Sequence, residues 1–437
     1  MSAMSSRLRE LEEIVGEENL LTATAAVSEY QLEGQMPAAV ALPSSAEEVA
    51  RLLRIASEAG LSVLLRGAGA HLHLGVPPSP IGVVVSLARL NRVVEYDADD
   101  LTVTVEAGVS LGQLARVVGE HGQMLPLDPP GPDSATLGGI AATNLAGPLR
   151  MRYGEPRDLA IGLRAALTDG SVVKAGGKTV KNVAGYELGK LFVGSLGTVG
   201  AICELTLRLV PIPEARAMVV AAAEPKRACE IAAQVVGSRL DISSVEVANW
   251  DALRRMRLSL PVTTGPEAWV VFVGLLGERE ALARQEQEVR SLVSDGCARL
   301  DGVDADEVWR SLRGAGYPGG GTVAVCLTVP MASVREIVGL VPTGEQWWAV
   351  ARSGEGRIYI GPAAEAELSN VQQRLAALRE WAAEREGSAV LEWGPVEVKR
   401  AFPVWGDSLS NLDLMQELKG KYDPNKVLGC GRYLPGL

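Results

Sequence analysis

The sequence predicts an α+β protein with more than one domain, and three observations support this fold class. The chain has 437 residues, which is long enough for two or three domains with separate hydrophobic cores. Hydrophobic residues make up 47% of the chain and charged residues 22%, which is typical of a globular protein. Within 215–395, strand-like and amphipathic helical segments alternate, and paired strands such as 346–352 and 356–361 favour an antiparallel sheet with helices on one face.

The charge distribution excludes some classes of partner. The net charge of −11 is spread along the chain, whereas a nucleic-acid-binding protein presents a basic face. No run of 18 apolar residues is present, so we expect no transmembrane segment. The first 25 residues carry no signal-peptide pattern. We therefore expect a cytoplasmic protein, with any attachment to the inner membrane made through its partners.

The cysteines and histidines limit the metal chemistry. The chain has five cysteines, widely spaced and without a CxxC pair: Cys203, Cys229, Cys297, Cys326 and Cys430. This spacing argues against a zinc site or a ligated iron–sulfur cluster, so we predict no metal and mostly buried, reduced thiols. The only histidines are His71, His73 and His121.

The first elements follow in order from the N-terminus. Residues 5–27 predict a helix or a pair of helices, and 38–42 a short strand. Ser45 can cap the next helix, with Glu48 completing a capping box, and Gly60 ends it.

Three loops of small residues are the strongest signal for a ligand. A buried strand at 61–65 opens into the first loop (66–75), and two further loops span 133–147 and 194–200. Such loops leave backbone amides uncovered where a ligand must approach closely. The first loop contains the first two glycines of a dinucleotide fingerprint, but Leu72 stands at the third position. Together with the segment 182–186, the loops favour a ligand site over plain turns.

The remaining elements complete the prediction. Between the loops we expect strands at 83–86, 93–96 and 102–106 and a helix at 110–121. A proline cluster at 129–132 suits a planar ligand. The strands predicted beyond residue 214 are 216–223, 243–249, 268–276, 322–329, 346–352 and 356–361. The helices predicted there are 225–239, 278–294, 305–313, 333–340, 364–386 and 408–419.

Taken together, these motifs resemble the vanillyl-alcohol-oxidase or PCMH-type FAD-binding family. The motif series is RGAGAHLHLG, PGPDSATLGG, TNLAGP, KNVAGYEL, GSLGTVGAI and a terminal YDP–GR segment. It covers residues 38–213 and the end of the chain, and within the family it is most similar to the FAD-binding subunits of glycolate oxidases. The resemblance implies two subdomains that enclose FAD and an α/β cap domain with an antiparallel sheet. It divides the chain into an N-terminal helical segment (1–37), an FAD-binding domain (38–214), a cap (215–395) and a C-terminal return to the FAD domain (396–437).

The resemblance also implies a set of cofactor-binding residues. Those near the pyrophosphate are Arg66, Gly67, Ala68, Gly69, Ala70 and His71. Those of the second loop, near the pyrophosphate and ribityl chain, are Thr136, Gly138 and Gly139. Those near the flavin ring are Pro130, Asn144, Gly147 and Pro148. Those on the adenine side are Gly197, Gly200 and Ile202.

The chain departs from the family pattern at three places. Ala70 stands where some relatives attach the flavin through a histidine, so we expect FAD to be bound non-covalently. The terminal segment is Gly429-Cys430-Gly431-Arg432, where the family has Asn-Pro-Gly followed by Arg or Lys. The hydroxy-acid dehydrogenases of the family carry a His-x-Gly-Asp-Gly-Asn-x-His segment in the cap, whereas this chain has no histidine after His121.

The missing histidines affect the expected chemistry. Oxidation of a 2-hydroxy acid needs a group that accepts the hydroxyl proton, as well as cations for the carboxylate. The available cations are Lys399, Arg400, Lys426 and Arg432, and the alternative bases are Tyr359, Tyr433 and Glu397. The catalytic residues stay unassigned.

We therefore expect the FAD-binding subunit of a glycolate or other 2-hydroxy-acid oxidase complex, with a catalytic flavoprotein and an iron–sulfur subunit as partners. Two alternatives remain: a self-sufficient FAD-dependent oxidase or dehydrogenase of another alcohol or hydroxy acid, and a non-catalytic assembly subunit that retains the fold.

Overall fold

Four β-sheets organise the computed structural model, which describes residues 3–177, 187–293, 296–317, 323–341, 346–363, 367–406 and 411–434. The strands are β1 (Leu20–Leu21), β2 (Ala39–Ala41), β3 (Val63–Arg66), β4 (Val83–Ser86), β5 (Val93–Asp97), β6 (Thr102–Glu106), β7 (Gln123–Met124), β8 (Ala160–Ala166), β9 (Val172–Gly176), β10 (Ala201–Arg208), β11 (Val210–Pro211), β12 (Ala215–Ala223), β13 (Ser244–Ala248), β14 (Trp269–Gly277), β15 (Cys297–Asp301), β16 (Ala324–Thr328), β17 (Trp347–Arg352), β18 (Arg357–Pro362) and β19 (Ser388–Trp393).

Helices connect and cover these strands. The α-helices are α1 (Ala3–Val15), α2 (Thr24–Ser28), α3 (Ala46–Ala59), α4 (Leu111–Gly119), α5 (Leu137–Thr143), α6 (Arg150–Tyr153), α7 (Pro156–Leu159), α8 (Gly189–Phe192), α9 (Pro225–Val236), α10 (Trp250–Met256), α11 (Arg279–Val293), α12 (Gly302–Arg313), α13 (Leu368–Ala383), α14 (Val396–Ala401) and α15 (Leu412–Tyr422). The 3₁₀ helices are Glu17–Asn19, Leu87–Arg89, Met331–Leu340 and Gly429–Gly431. Among the described residues, no helix is both long enough and apolar enough to cross a bilayer.

The first 214 residues contribute two larger sheets. The four-stranded sheet has the order β1-β2-β4-β3, in which β4 runs parallel to both β2 and β3. The five-stranded sheet is antiparallel, with the order β5-β6-β10-β8-β9. Because β3 ends at Arg66, the first loop leaves the sheet from the carboxyl end of a parallel strand, where ligands commonly bind in α/β structures.

Local sequence signals explain the start and the end of α3. The Ser45 side chain accepts a hydrogen bond from the Glu48 amide at 3.1 Å, as a capping residue should. The Glu48 carboxylate accepts from the amide of Ser44, at 2.7 Å, instead of the Ser45 amide that a capping box would use. Gly60 ends the helix with a φ of 64°, a left-handed conformation that glycine adopts without strain.

The eight-stranded antiparallel sheet has the order β15-β12-β14-β13-β17-β18-β16-β19 and begins with β12 at Ala215. The domain boundaries themselves stay a prediction. Helices α9, α11 and α13 pack on one face of this sheet, and α10 and α12 pack on the other. The expectation of helices on one face only is therefore wrong. The central strands are apolar at successive positions, as in strands buried on both sides.

The C-terminal segment returns to the four-stranded sheet. The amide of Val63 in β3 donates to the carbonyl of Val427 at 2.7 Å, and Val63 forms a bridge with Leu428. Lys419 and Asp423 form a buried ion pair with 2.6 Å between Nζ and Oδ2. Lys419 Nζ also donates to the carbonyl of Thr198 at 2.8 Å. These bonds bring residues 419–428 next to the third loop.

Candidate functional site

A cleft lies where the first loop, α5, the third loop and the terminal 3₁₀ helix meet. Its volume is about 710 Å³, counting the space open to solvent at its mouth. The predicted cofactor residues that line it are Arg66, Gly67, Gly69, Ala70, His71, Thr136, Gly139 and Gly197. Further lining residues include Leu72, Leu196, Thr198, Gly429 and Arg432. Segments that are far apart in sequence therefore build one site.

The walls of this cleft approach each other too closely for side chains at several glycines. A Cβ atom on Gly67 would lie 2.0 Å from Oγ1 of Thr136. Gly197 has a φ of 73°, and its Cβ atom would lie 2.9 Å from Cδ1 of Leu65. The backbone of Gly67 therefore packs against the side chain of Thr136 and that of Gly197 against the side chain of Leu65, and the missing glycine side chains leave main-chain groups accessible to a ligand.

The first loop presents a row of free amides. Within the described part of the chain, the backbone N–H groups of Ala68, Gly69, Ala70 and His71 donate to no acceptor. The loop is closed by a bond from the amide of Leu72 to the carbonyl of Gly69 at 3.3 Å. Consecutive amides in a tight turn bind anions such as a pyrophosphate. These residues therefore fit the phosphate portion of a dinucleotide.

Arg66 adds a cation to this row of amides. Its Nη1 donates to the carbonyl of Glu29 at 3.0 Å, and its guanidinium lies 4.6 Å from the centre of the Tyr30 ring. Burial lowers the pKa of Arg66, and the nearby Tyr30 and Glu29 act in the opposite direction. The side chain still stays positively charged at neutral pH, because the ordinary pKa of arginine is so high.

Two of the candidate cations for a substrate carboxylate support the first loop. Arg432 Nη2 donates to the carbonyl of Leu74 at 2.6 Å and also to that of Leu72. Lys399 Nζ, on α14, donates to the carbonyl of His73 and to the Glu33 carboxylate. Arg432 and Lys399 therefore hold loop carbonyls and the Glu33 carboxylate, and a contact of either cation with a substrate carboxylate stays a prediction. The other two candidates, Arg400 and Lys426, are exposed.

His71 lies between the first loop and the proline segment. Its Nε2 donates to the carbonyl of Pro130 at 2.8 Å, and only 7% of its surface is exposed. Burial lowers the pKa of His71, so the ring is neutral with its proton on Nε2. On α12, Arg313 fixes the same segment by donating to the carbonyl of Pro129 at 2.6 Å.

Several predicted residues pack near the cleft without lining it. Gly138 and Gly147 are needed for close packing, because their Cβ atoms would lie 2.6 Å from Cβ of Ala107 and 1.8 Å from the carbonyl oxygen of Asp128. Asn144 ends α5 with a φ of 53° and accepts from the amide of Arg157 at 3.0 Å. The other predicted residues that do not line the cleft are Ala68, Pro130, Pro148, Gly200 and Ile202. The roles of all the site residues stay predictions, and the segment 182–186 lies outside the described residues.

The turn between β17 and β18 contains a signal that the sequence reasoning missed. Residues 352–359, here called the cap hairpin, read RSGEGRIY and keep the spacing of the His-x-Gly-Asp-Gly-Asn-x-His segment. Arg352 and Tyr359 stand at the two histidine positions, and Arg352 Nη1 donates to the Tyr359 hydroxyl at 3.3 Å. The unchanged Gly-acid-Gly centre could have located this hairpin in the sequence.

The cap hairpin packs on the segment predicted to lie near the flavin ring. Arg352 is fully buried, and its Nη1 donates to the carbonyl of Ala146 at 2.8 Å. Burial disfavours the charge of Arg352, but nearby groups, including Tyr359, Glu355 and Asp128, raise its pKa above the ordinary value. Burial also raises the pKa of the Tyr359 hydroxyl, so Tyr359 is a poor base near neutral pH.

Carboxyl groups surround this arginine. Asp128 accepts from the amide of Leu149 at 3.1 Å and from Nε1 of Trp309 at 3.0 Å. Burial raises the pKa of Asp128 to about 6 and that of Glu246 to about 8.

Besides Tyr359, the sequence offered Glu397 and Tyr433 as alternative bases. Both are less suited, since Glu397 is exposed and the Tyr433 ring packs against Trp405 with 4.9 Å between ring centres.

Comparison with known proteins identifies the cofactor. Residues 37–176 match a family model described as FAD binding domain. The glycolate oxidase subunit GlcD of Bacillus subtilis (strain 168) is 28% identical, over 93% of this chain and 90% of that protein. The mitochondrial D-lactate dehydrogenase [cytochrome] of Arabidopsis thaliana is 26% identical, over 92% of this chain and 74% of that protein.

A solved structure is similar to this chain in fold. The structure of p-cresol methylhydroxylase with substrate bound superposes with a TM-score of 0.76 at 16% identity, and the match covers 99% of this chain and 96% of that one. The predicted fold class and the FAD cofactor are confirmed.

Proposed function

We propose that this protein, an FAD-dependent oxidoreductase of the PCMH-type FAD-binding family, is the FAD-binding subunit of an assembly that oxidises 2-hydroxy acids. Glycolate and D-lactate, in the names of the two relatives above, are both 2-hydroxy acids, and one relative is named as a subunit. In this proposal 38–214 and 396–437 hold the cofactor and 215–395 cover it.

The observation that carries this proposal is the cleft with its free amides. The amides of Ala68–His71, the half-buried Arg66 and the close glycine contacts together suit a negatively charged, extended dinucleotide. Bound FAD would supply the acceptor for the hydride removed from the hydroxylated carbon. The first loop would hold the phosphates, and the segment 128–148 would lie beside the ring.

Non-covalent binding of FAD is part of the proposal. Ala70 cannot form a bond to the flavin, and the neighbouring His71 uses Nε2 to hold the carbonyl of Pro130. Acid precipitation tests this point, because a non-covalent flavin leaves its yellow colour in the supernatant, and a covalent one stays in the pellet.

The cap hairpin favours a subunit that depends on partners. The hydroxyl proton of a 2-hydroxy acid needs an acceptor near neutral pH. Arg352 and Tyr359, at the two histidine positions, do not provide one, because an arginine stays protonated and burial raises the pKa of the tyrosine. We propose that a catalytic flavoprotein oxidises the acid and that an iron–sulfur subunit takes part in electron transfer.

One observation favours a self-sufficient dehydrogenase as the second candidate. The carboxyl group of Asp128 is buried beside the proline segment, and its pKa of about 6 suits a base that works near neutral pH. Its three hydrogen bonds, two from the Leu149 amide and one from Trp309, nevertheless use both of its oxygens.

Dye reduction by the purified, FAD-loaded chain tests the two candidates. We expect little or no turnover of a panel of 2-hydroxy acids by the chain alone, because loss of a general base lowers rates by about 10²–10⁴-fold. Activity should appear when the proteins that co-purify with it in the native cell are added. A turnover of several per second or more by the chain alone, on the order of the median for enzymes, would contradict the subunit proposal.

A further inference from the structure

We infer that residues 24–35, here called the strap, position the first loop, and that Arg66, held by Tyr30 of the strap, is the cation that pairs with the diphosphate of the dinucleotide. The strap precedes the residues that match the family model, which begin at 37. The inference rests on the FAD site proposed above and assigns a role to part of the N-terminal segment (1–37).

The first step concerns the Arg66 side chain. Its guanidinium lies over the first loop, since a Cβ atom on Gly69 would be 3.1 Å from Nε and 3.2 Å from Nη2. In the part of the chain that the structure describes, Arg66 forms no ion pair with a carboxylate, and its acceptor is the carbonyl of Glu29. Glu29 lies close enough to raise the pKa of Arg66 but forms no ion pair with it. A half-buried guanidinium whose charge is not neutralised by an ion pair, beside free amides, is complementary to a bound anion.

The second step concerns the strap itself. Its Tyr30 ring lies beneath the Arg66 guanidinium, with 4.6 Å between Cζ and the ring centre, which restricts the direction in which the charge can point. At the other end of the strap, the Glu33 carboxylate binds the ammonium of Lys399, which also binds the carbonyl of His73. The strap therefore holds both the beginning and the end of the first loop.

Apolar packing keeps the strap in place between these two contacts. Val27 is 4% exposed and belongs to one cluster with Leu64 of β3. Tyr30 and Leu32 of the strap pack against this cluster, and so does Leu72 of the first loop. The strap and the loop thus share a core, and the position of Tyr30 relative to Arg66 is fixed by packing.

The third step is the selectivity that this arrangement would give. Arg66 would interact with phosphate oxygens and not with the flavin ring, so its effect should depend on the diphosphate of the ligand. FAD and ADP both carry a diphosphate, whereas riboflavin carries none. A purely structural role would instead change the affinity for all three ligands to the same extent.

Titration calorimetry on the flavin-free full-length chain tests the inference, with FAD, ADP and riboflavin as ligands. We expect Arg66→Gln to weaken FAD and ADP binding by about 10- to 100-fold, which is typical for loss of a charge-assisted hydrogen bond. Riboflavin affinity should change by less than about 2-fold, within the usual effect of a remote substitution. Equal losses for FAD and riboflavin, or no loss for FAD, would overturn the inference.

The strap is tested separately with two substitutions at one position. Tyr30→Leu should weaken FAD binding by about 3- to 10-fold, because the guanidinium loses its aromatic support. Tyr30→Phe is the matched control, since it keeps the ring face, and it should bind FAD like the wild type. If Tyr30→Leu binds FAD as tightly as Tyr30→Phe, the strap does not position Arg66. Wild-type chain that binds no FAD at all would refute the proposed function together with the inference.

The salt dependence of the wild type gives a result that needs no variant. FAD affinity should fall as sodium chloride rises from about 0.05 M to 0.5 M, whereas riboflavin affinity should stay nearly constant. If the affinities for FAD and riboflavin fell equally with sodium chloride, a positive charge that pairs with the diphosphate would be contradicted.

Discussion

Arg66 and Arg352 are two arginines in very different surroundings, one at the cofactor cleft and one at the junction of the cap with the segment near the cleft. Arg66 is half-buried at the cofactor cleft, among free amides and with a backbone carbonyl as its acceptor. Arg352 is fully buried between the cap and the segment near the cleft, with Asp128, Glu246 and Glu355 around it. The cleft is therefore suited to an anion from outside, as we propose for the diphosphate, whereas the cap junction contains carboxyl groups of its own.

The largest expected effect comes from filling the cleft. Gly69 has a φ of 81°, and a Cβ atom there would lie 3.1 Å from Arg66. Gly69→Val should therefore abolish FAD retention, because a branched side chain would strain the loop and cover its amides. The absorbance of the purified protein near the flavin maximum measures this loss.

Gly119→Ala is the control for this prediction, since nothing lies within 4 Å of the Cβ position at Gly119. If Gly69→Val kept its flavin and its far-ultraviolet circular dichroism, the first loop would be a plain turn, and the contrast with the cap junction would disappear.

The second effect concerns the cap junction. Arg352→Met should lower the free energy of unfolding by about 3–5 kcal/mol near neutral pH, because the buried carboxyl groups of Asp128 and Glu355 lose the nearby positive charge. Urea denaturation followed by tryptophan fluorescence measures the change. Arg400→Met, at an exposed position on α14, should change stability by no more than about 0.5 kcal/mol. Similar values for the two variants would show that Arg352 does not balance the buried carboxylates.

The third effect depends on pH. Burial raises the pKa of Glu246 from 4.5 to about 8, against the opposing effect of Arg352. The folded protein therefore binds more protons than the unfolded chain between these values, so the contribution of Glu246 to stability is fully present below pH 4.5 and is lost as the pH rises to about 8.

Glu246→Gln removes this titration, so the melting temperature of the variant should rise relative to the wild type as the pH increases across that window. Glu397→Gln, at an exposed position, should follow the wild type at every pH. A constant difference between Glu246→Gln and the wild type would mean that Glu246 does not take up its proton in the folded protein.

The cofactor region could be predicted from its loops of small residues together with their resemblance to the FAD-binding family. Glycine and alanine mark the first loop, and the structure brings Gly67, Thr136 and Gly197 to one cleft although they are far apart in sequence. The motif spacing carried this prediction, because close backbone contacts require glycine at defined positions. The loop support by Lys399 and Arg432 could not be predicted, since its acceptors are backbone carbonyls, which every residue has.

The cap was harder to predict for physical reasons. The strands β15 and β19 lie at the two edges of their sheet and were missed, because edge strands are not apolar on both faces. The cap hairpin was overlooked because both histidine positions had changed, although the Gly354-Glu355-Gly356 centre was intact. A search for histidine at the two ends does not find this hairpin, whereas a search for the Gly-acid-Gly turn between two strands does.

The C-terminal contacts of the first loop also determine when the cofactor site can form during synthesis. Arg432, which holds the carbonyl of Leu72, follows that residue by 360 positions. At a translation rate of about 5–20 residues per second, the ribosome makes the loop roughly 20 to 70 s before it makes this support. FAD loading should accordingly be a late event in biogenesis, and an incomplete nascent chain should bind the cofactor weakly if at all.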